Sequence, residues 1–144
     1  VELRSVLSTS ILLRCSTVPP PSPGIGPDGL PHSSVGVLFS GGVDCGVVAM
    51  MAGEVVDGTI DLITVSFGMD SMDRIAAIKG YELLSSLRPN KYRLIIVDAS
   101  STSAADIPIV KGLVKPRSTN MDYNIGLAFW KASKGEGGIY DGKG

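Results

Sequence analysis

A short apolar run that halts on Ser40-Gly41-Gly42, two more apolar runs at 60–67 and 92–97, and helix-patterned segments between them predict an α/β protein. Strands separated by helical crossovers pair in parallel, so the expected architecture is a Rossmann-like parallel sheet with helices on both faces. The size agrees. The 144 residues suit one domain, and 44% hydrophobic with 19% charged residues excludes an intrinsically disordered chain. Thirteen Lys+Arg against fourteen Asp+Glu leave a net charge of −1, so no global basic field draws nucleic acid to it. No apolar run reaches the roughly 18 residues that span a bilayer, and no membrane-spanning helix is expected. Two cysteines, Cys15 and Cys45, and one histidine, His32, are too few for a zinc site or a disulfide scaffold. A reducing, cytoplasmic setting is the expectation.

Residues 2–16 place Leu3, Val6, Leu7 and Leu13 at helical spacing, with Glu2 at the start and Arg14 at the end, where each complements the helix dipole. An amphipathic helix is expected within 1–17, with Cys15 on its apolar side and in the core. The proline and glycine run of 18–34 cannot continue it, because proline lacks the N–H and fixes φ. That stretch reads as a linker or surface loop, with His32 solvated. The α/β pattern occupies 35–144. Val35-Gly36-Val37-Leu38-Phe39 is a continuous apolar run, as expected of a strand covered on both faces. Residues 44–52 cluster Val47, Val48, Met50 and Met51 in a helix-like way, and 60–67 form the second strand. Asp73 stands where a helix N-cap belongs, ahead of Ile75, Ile78, Leu83, Leu84 and Leu87, and Pro89-Asn90 closes that helix. The third strand spans 92–97, with Asp98 at its end in a cap or turn role. Residues 99–113 lack strong periodicity beyond a short apolar stretch at 107–110. Ile125, Ala128, Phe129 and Ala132 share one face of a last helix that runs to about Lys134, with Thr119 and Asp122 as its caps. Phe129 and Trp130 are expected in the core; Lys115, Arg117, Lys131 and Lys134 are expected on a solvated face. The chain begins at Val1 and closes on a glycine-rich stretch, so it is expected to be a piece of a longer protein or the product of a divergent gene model.

The chemistry concentrates in Leu38-Phe39-Ser40-Gly41-Gly42-Val43-Asp44-Cys45, between the first strand and the following helix. In open sheets, ligands collect at the carboxyl ends of strands near a topological switch point. Paired glycines let a backbone turn tightly and approach a ligand without Cβ obstruction. Successive N–H groups at a helix start form a concave anion site, to which the Ser40 and Cys45 side chains add donors. Asp44 would repel a bare phosphate, so its natural use is to hold a Mg²⁺ that bridges to phosphate oxygens. Neither G-x-x-x-x-G-K-[ST] nor G-x-G-x-x-G is present. A plain β-to-α turn is the competing reading of the three residues Ser40-Gly41-Gly42 alone.

Ser40-Gly41-Gly42-Val43-Asp44-Cys45 resembles the S-G-G-x-D-S pyrophosphate loop of the N-type ATP pyrophosphatases, whose fold is of the adenine nucleotide alpha-hydrolase type. Residues 35–52 are similar to the asparagine synthetase branch, and the helix carrying Leu3 to Ser10 and Arg14 is similar to the one preceding the loop there. Downstream, Asp73-Arg74-Ile75-Ala76-Ala77 and the strand from Tyr92 to Asp98 match the family's DR-x-x-A and strand stretch. Pro116, Thr119, Asp122, Ile125-Gly126, Trp130 and Ala132-Ser133-Lys134-Gly135 resemble its P-x-x-T, D-x-x-I-G and W-x-A-S/A-R-G segment.

The resemblance implies ATP with its adenine near Leu38 and Val65, its β- and γ-phosphates on Ser40, Gly41, Gly42, Val43 and the helix start, and Mg²⁺ at Asp44. It implies a carboxylate substrate, aspartate in this branch, that is activated as an acyl-adenylate with release of pyrophosphate. Ammonia from a glutaminase domain, not present in this chain, then displaces AMP. No side chain serves as a nucleophile, so no catalytic residue is assigned. Two family features are missing: Cys45 replaces a serine, and the later S/T-G-x-G-x-D-E string does not occur. A thiol is the weaker donor, and the chain alone is expected to be inactive. The alternatives are a degenerate binding or scaffold protein, or another pyrophosphatase of this type, for tRNA thiolation or NAD synthesis.

Overall fold

The computed structural model describes residues 2–142. Along the chain run α1 (Glu2–Cys15), β1 (Val35–Leu38), α2 (Val43–Val55), β2 (Ile60–Ser66) and α3 (Met72–Leu87). They are followed by β3 (Tyr92–Asp98), α4 (Asp106–Leu113), α5 (Asn120–Ser133) and β4 (Gly138–Ile139). The strands form one sheet in the order β1-β2-β3-β4. The first three are parallel, in a register that sets Val35 beside Ile60 and Ile60 beside Tyr92, while β4 runs antiparallel to β3. The expected α/β fold is therefore present. Among the described residues the strand order follows the sequence without reversal, so the expected switch point is not found there.

The period of two in β2 divides the molecule. Ile60 and Leu62, with Tyr92 and Leu94 beside them, turn toward α2 and α3 and meet Ala49, Ala52, Ala77 and Leu84 in the buried core. Small side chains on the helices let them sit close to the sheet. At Gly53 a Cβ would collide with the Tyr92 hydroxyl, which donates to the Ala49 carbonyl at 3.2 Å. Burial raises the Tyr92 pKa above its ordinary value. On the opposite face Ile63 and Val65 approach Ala128 and Phe129 of α5. Helices thus cover both faces.

The loop of 18–34 is more than a connector. Arg93, buried in β3, donates from Nε to Asp28 at 2.6 Å and from Nη2 to the carbonyls of Leu30 and Pro31. Its Nη1 lies 3.4 Å from Asp61. Burial pulls the Asp28 carboxyl up, but the Arg93 hydrogen bond, the backbone amides of Leu30 and Asp28 and the Arg93 charge together outweigh it, and the net shift is downward. For Asp61 burial dominates, and its pKa stays raised despite Arg93. The linker is thereby strapped across the amino ends of β2 and β3.

Several boundaries and burials differ from expectation, each for a local reason. Ser71, not Asp73, caps α3, because its hydroxyl sits where it can accept from the Arg74 amide at 3.3 Å. Residues 106–113 form α4 although their pattern is weak, with only Asp106 and Val110 buried and Val110 packed near Gly126. In α1 no residue is buried: Leu3, Val6 and Leu13 face away from α2, and Cys15 is half-buried rather than core. That helix is held by Ile11 against the core and by Arg4 to Glu54 at 3.3 Å. No helix among the described residues is long and apolar enough to cross a membrane.

Candidate functional site

The turn after β1 is shaped by two close approaches. Gly41 has φ +79, and a Cβ there would collide with the Ala76 carbonyl on α3. Gly80 allows the same proximity from the other side: a Cβ would come within 2.9 Å of the Phe39 ring, which is buried beside the turn. Glycine at 41 is therefore demanded twice, by backbone conformation and by space. Gly80 escaped the sequence reading, although a glycine inside the α3 pattern was a visible signal.

Gly42 then caps α2 with extended backbone and no side-chain hydrogen bond. The first helical bond runs from the Gly46 amide to the Gly42 carbonyl at 3.0 Å. The amides from Ser40 to Cys45 meet no acceptor among the described residues. The turn that carries them is largely exposed, with Val43 81% exposed, Ser40, Gly42 and Asp44 exposed beside it, and Gly41 and Cys45 half-buried. Water or an anion must satisfy them. Asp44 stands in the first turn of α2, without an ion pair among the described residues.

The Cys45 side chain is engaged within the turn itself. Its thiol donates to the Gly42 carbonyl at 3.1 Å and lies 3.8 Å from the Ser40 hydroxyl. It is half-buried against the core and braces the turn.

Three of the expected residues meet at one cavity. Leu38, Ser40 and Val65 line a hollow of about 240 Å³ at the carboxyl ends of β1 and β2, closed by Ile63 and Phe129. Gly41, Gly42 and Val43 line a separate apolar groove between α2 and α3, with Met50 and Leu83. Asp44 and Cys45 line neither. Phe129 is thus not a core residue. It is 58% exposed, because α5 reaches over β2 but no element among the described residues covers the opening beside β1.

A buried charge ties α5 to α4. Asp106 at the start of α4 accepts from Trp130 Nε1 at 2.9 Å and from Lys134 Nζ at 2.8 Å, with Lys131 Nζ at 3.5 Å. Lys131 also donates to the Ser101 carbonyl. The hydrogen bond from Lys134, then that from Trp130, hold the Asp106 carboxyl down to about 2. Lys131 is consequently half-buried rather than on a solvated face, Lys134 is exposed as expected although ion-paired, and Trp130 is half-buried with a polar task. Lys115 and Arg117 are exposed as expected. Thr119 and Asp122 form a reciprocal capping box on α5, and Asp98 accepts from the Ser100 amide in a turn, both as expected.

The residues fit a magnesium–phosphate pair better than a bare metal. Among the described residues there is no group of three or more His, Cys, Asp or Glu able to hold an ion alone. Mg²⁺ ordinarily takes only one or two carboxylates and completes its shell with phosphate and water, which a single Asp44 beside unpaired amides can satisfy.

No protein-family profile matches the chain, and no solved structure matches it significantly. Two curated proteins do. An asparagine synthetase domain-containing protein of Saccharomyces cerevisiae is 34% identical over 154 aligned residues, covering 94% of this chain and 28% of that protein. An asparagine synthetase domain-containing protein of Drosophila melanogaster is 30% identical over 118, covering 71% of this chain and 21% of that protein. The chain therefore spans about a quarter of the length of the curated relatives it matches.

Proposed function

This chain belongs to the asparagine synthetase domain-containing proteins, and from that premise we propose that it is the ATP-holding part of a carboxylate-activating synthetase. One observation carries the reading: the amides from Ser40 to Cys45 meet no acceptor among the described residues, on a largely exposed turn built around a left-handed glycine that no other residue could replace. Such a run of donors stabilises negative charge on the departing pyrophosphate without reorganising as the reaction proceeds. The neighbouring hollow, lined by Leu38, Ile63, Val65 and Phe129, has the apolar character that suits a planar base. Ser40 stands between the two and orients the triphosphate.

In this scheme a carboxylate oxygen of aspartate attacks the α-phosphorus of ATP. The bond to the bridging oxygen breaks, and pyrophosphate leaves into the amide cradle. Ammonia delivered by a glutaminase domain outside this chain then attacks the acyl carbon, and AMP departs. Mg²⁺ held at Asp44 would neutralise phosphate charge. The chain's own contribution is binding and orientation; the residues completing the site belong to the rest of the synthetase.

Calorimetric titration with Mg–ATP tests this directly on the native chain and on Asp44→Ala. The expected result is metal-dependent binding that weakens at least about tenfold in the variant, or ~1.4 kcal/mol. Equal affinity in the two proteins would refute the metal assignment and favour a catalytically degenerate binding protein. The Cys45 thiol, turned onto the Gly42 carbonyl instead of the loop mouth, is the feature that supports that second reading. Pyrophosphate release from the full-length protein with aspartate and ammonia would decide for the synthetase.

A further inference from the structure

At the far end of the α4–α5 hairpin lies a cationic hollow. The turn of 114–119 and the two flanking helix ends enclose about 790 Å³. Lys111, Lys115 and Arg117 line it, all exposed, and none makes an ion pair or side-chain hydrogen bond within the described residues. No Asp or Glu lines it. The nearest acidic groups along these helices are already engaged: Asp122 in the capping box with Thr119, and Asp106 with Lys134 and Trp130. Three uncompensated cations around one concavity in a chain of net charge −1 form a local positive field. The remaining walls contribute Tyr123, the Ser118 hydroxyl and the apolar Val114.

We propose that this hollow binds a small ligand carrying two or more phosphate groups and an apolar body. Its volume falls in the range of small-molecule sites, and a concave shape suits a compact ligand better than an extended polymer. Lys and Arg give charge-assisted hydrogen bonds to phosphate oxygens, and Arg117 can do so bidentately. The site is separate from the turn after β1. Eight residues of α5 part Asn120 at this hollow from Ala128 at the other, about 12 Å of helix. The assignment goes beyond the synthetase reading and does not rest on it.

The test is an amide chemical-shift titration of the ¹⁵N-labelled chain with inorganic pyrophosphate, first without metal. It is run on the native chain, on the triple variant Lys111→Gln, Lys115→Gln, Arg117→Gln, and on Lys79→Gln as an exposed control of like charge change. The expected result is shifts in residues 111–123 that saturate, weaken with added salt, and demand about a hundredfold more pyrophosphate in the triple variant but not in the control. Shifts confined to 40–46 in the native chain would overturn this proposal and leave the ATP reading standing. Shifts at 111–123 alone, lost in the triple variant, would support this site and count against the other. Shifts at 111–123 that survive the triple substitution, or none at either place, would overturn it. The substituted side chains are exposed, and an otherwise unchanged spectrum confirms that the variant folds.

Discussion

Gly41 and Arg93 show how far a single position reaches. At Gly41 any side chain meets the Ala76 carbonyl while the backbone holds φ +79. Gly41→Ala is expected to destabilise the chain by about 1–3 kcal/mol, read from the urea midpoint, and to abolish Mg–ATP binding. An alanine variant of native stability would mean that the turn is looser than its geometry. Arg93 is buried between Asp28 and Asp61, and removing it strands two carboxylates. Arg93→Met is expected to cost about 3–5 kcal/mol by the same measurement, because an unpartnered buried charge is far worse than an absent pair. Both residues stood in plain view in the sequence. The two consecutive glycines announced a turn, whereas nothing near Arg93 announced a partner in a proline-rich loop.

At the scale of elements, α4 and α5 are joined to the loop after β3 through Asp106. Its carboxyl titrates at about 2 in the folded chain, below the ordinary 3.8, because Lys134 and Trp130 stabilise the charged form. The stability it lends is therefore whole above 3.8 and is lost as pH falls toward about 2. Acid titration followed by Trp130 fluorescence is expected to report release of the indole in that window. In Asp106→Asn the acid transition tied to this group should vanish, and the variant should be less stable at neutral pH. Retention of the transition would place its origin elsewhere. The capping box that starts α5 was readable from Thr119 and Asp122, three residues apart. The start of α4 was not, because its N-cap Ala105 offers no side-chain acceptor and its only inward anchors are Asp106 and Val110. Likewise α1 showed helical spacing and dipole-matched ends, yet its apolar stripe lies largely exposed.

Across the whole molecule, β1 forms one edge of the sheet among the described residues. The Phe39 amide donates to Ile63 at 2.7 Å, so the Gly36 and Leu38 amides, alternating with it, point away from β2. Hydrogen exchange is expected to be fast at Gly36 and Leu38 and slowest at Leu62 and Leu94 in the centre. Equal protection would reveal a strand paired to that edge in solution. What the sequence by itself determined is local: three parallel strands, the crossover helices, the glycine turn and the α5 cap, because each depends on period or on residues within a few positions. What only the tertiary structure decided is where distant groups meet. Asp28 and Arg93 are 65 positions apart, and Asp106 and Trp130 are 24 apart. Half-burial of Lys131 and exposure of Phe129 and of most of the Ser40–Cys45 turn follow from how the layers pack, since charge and apolarity name the kind of partner a residue needs but not its place along the chain.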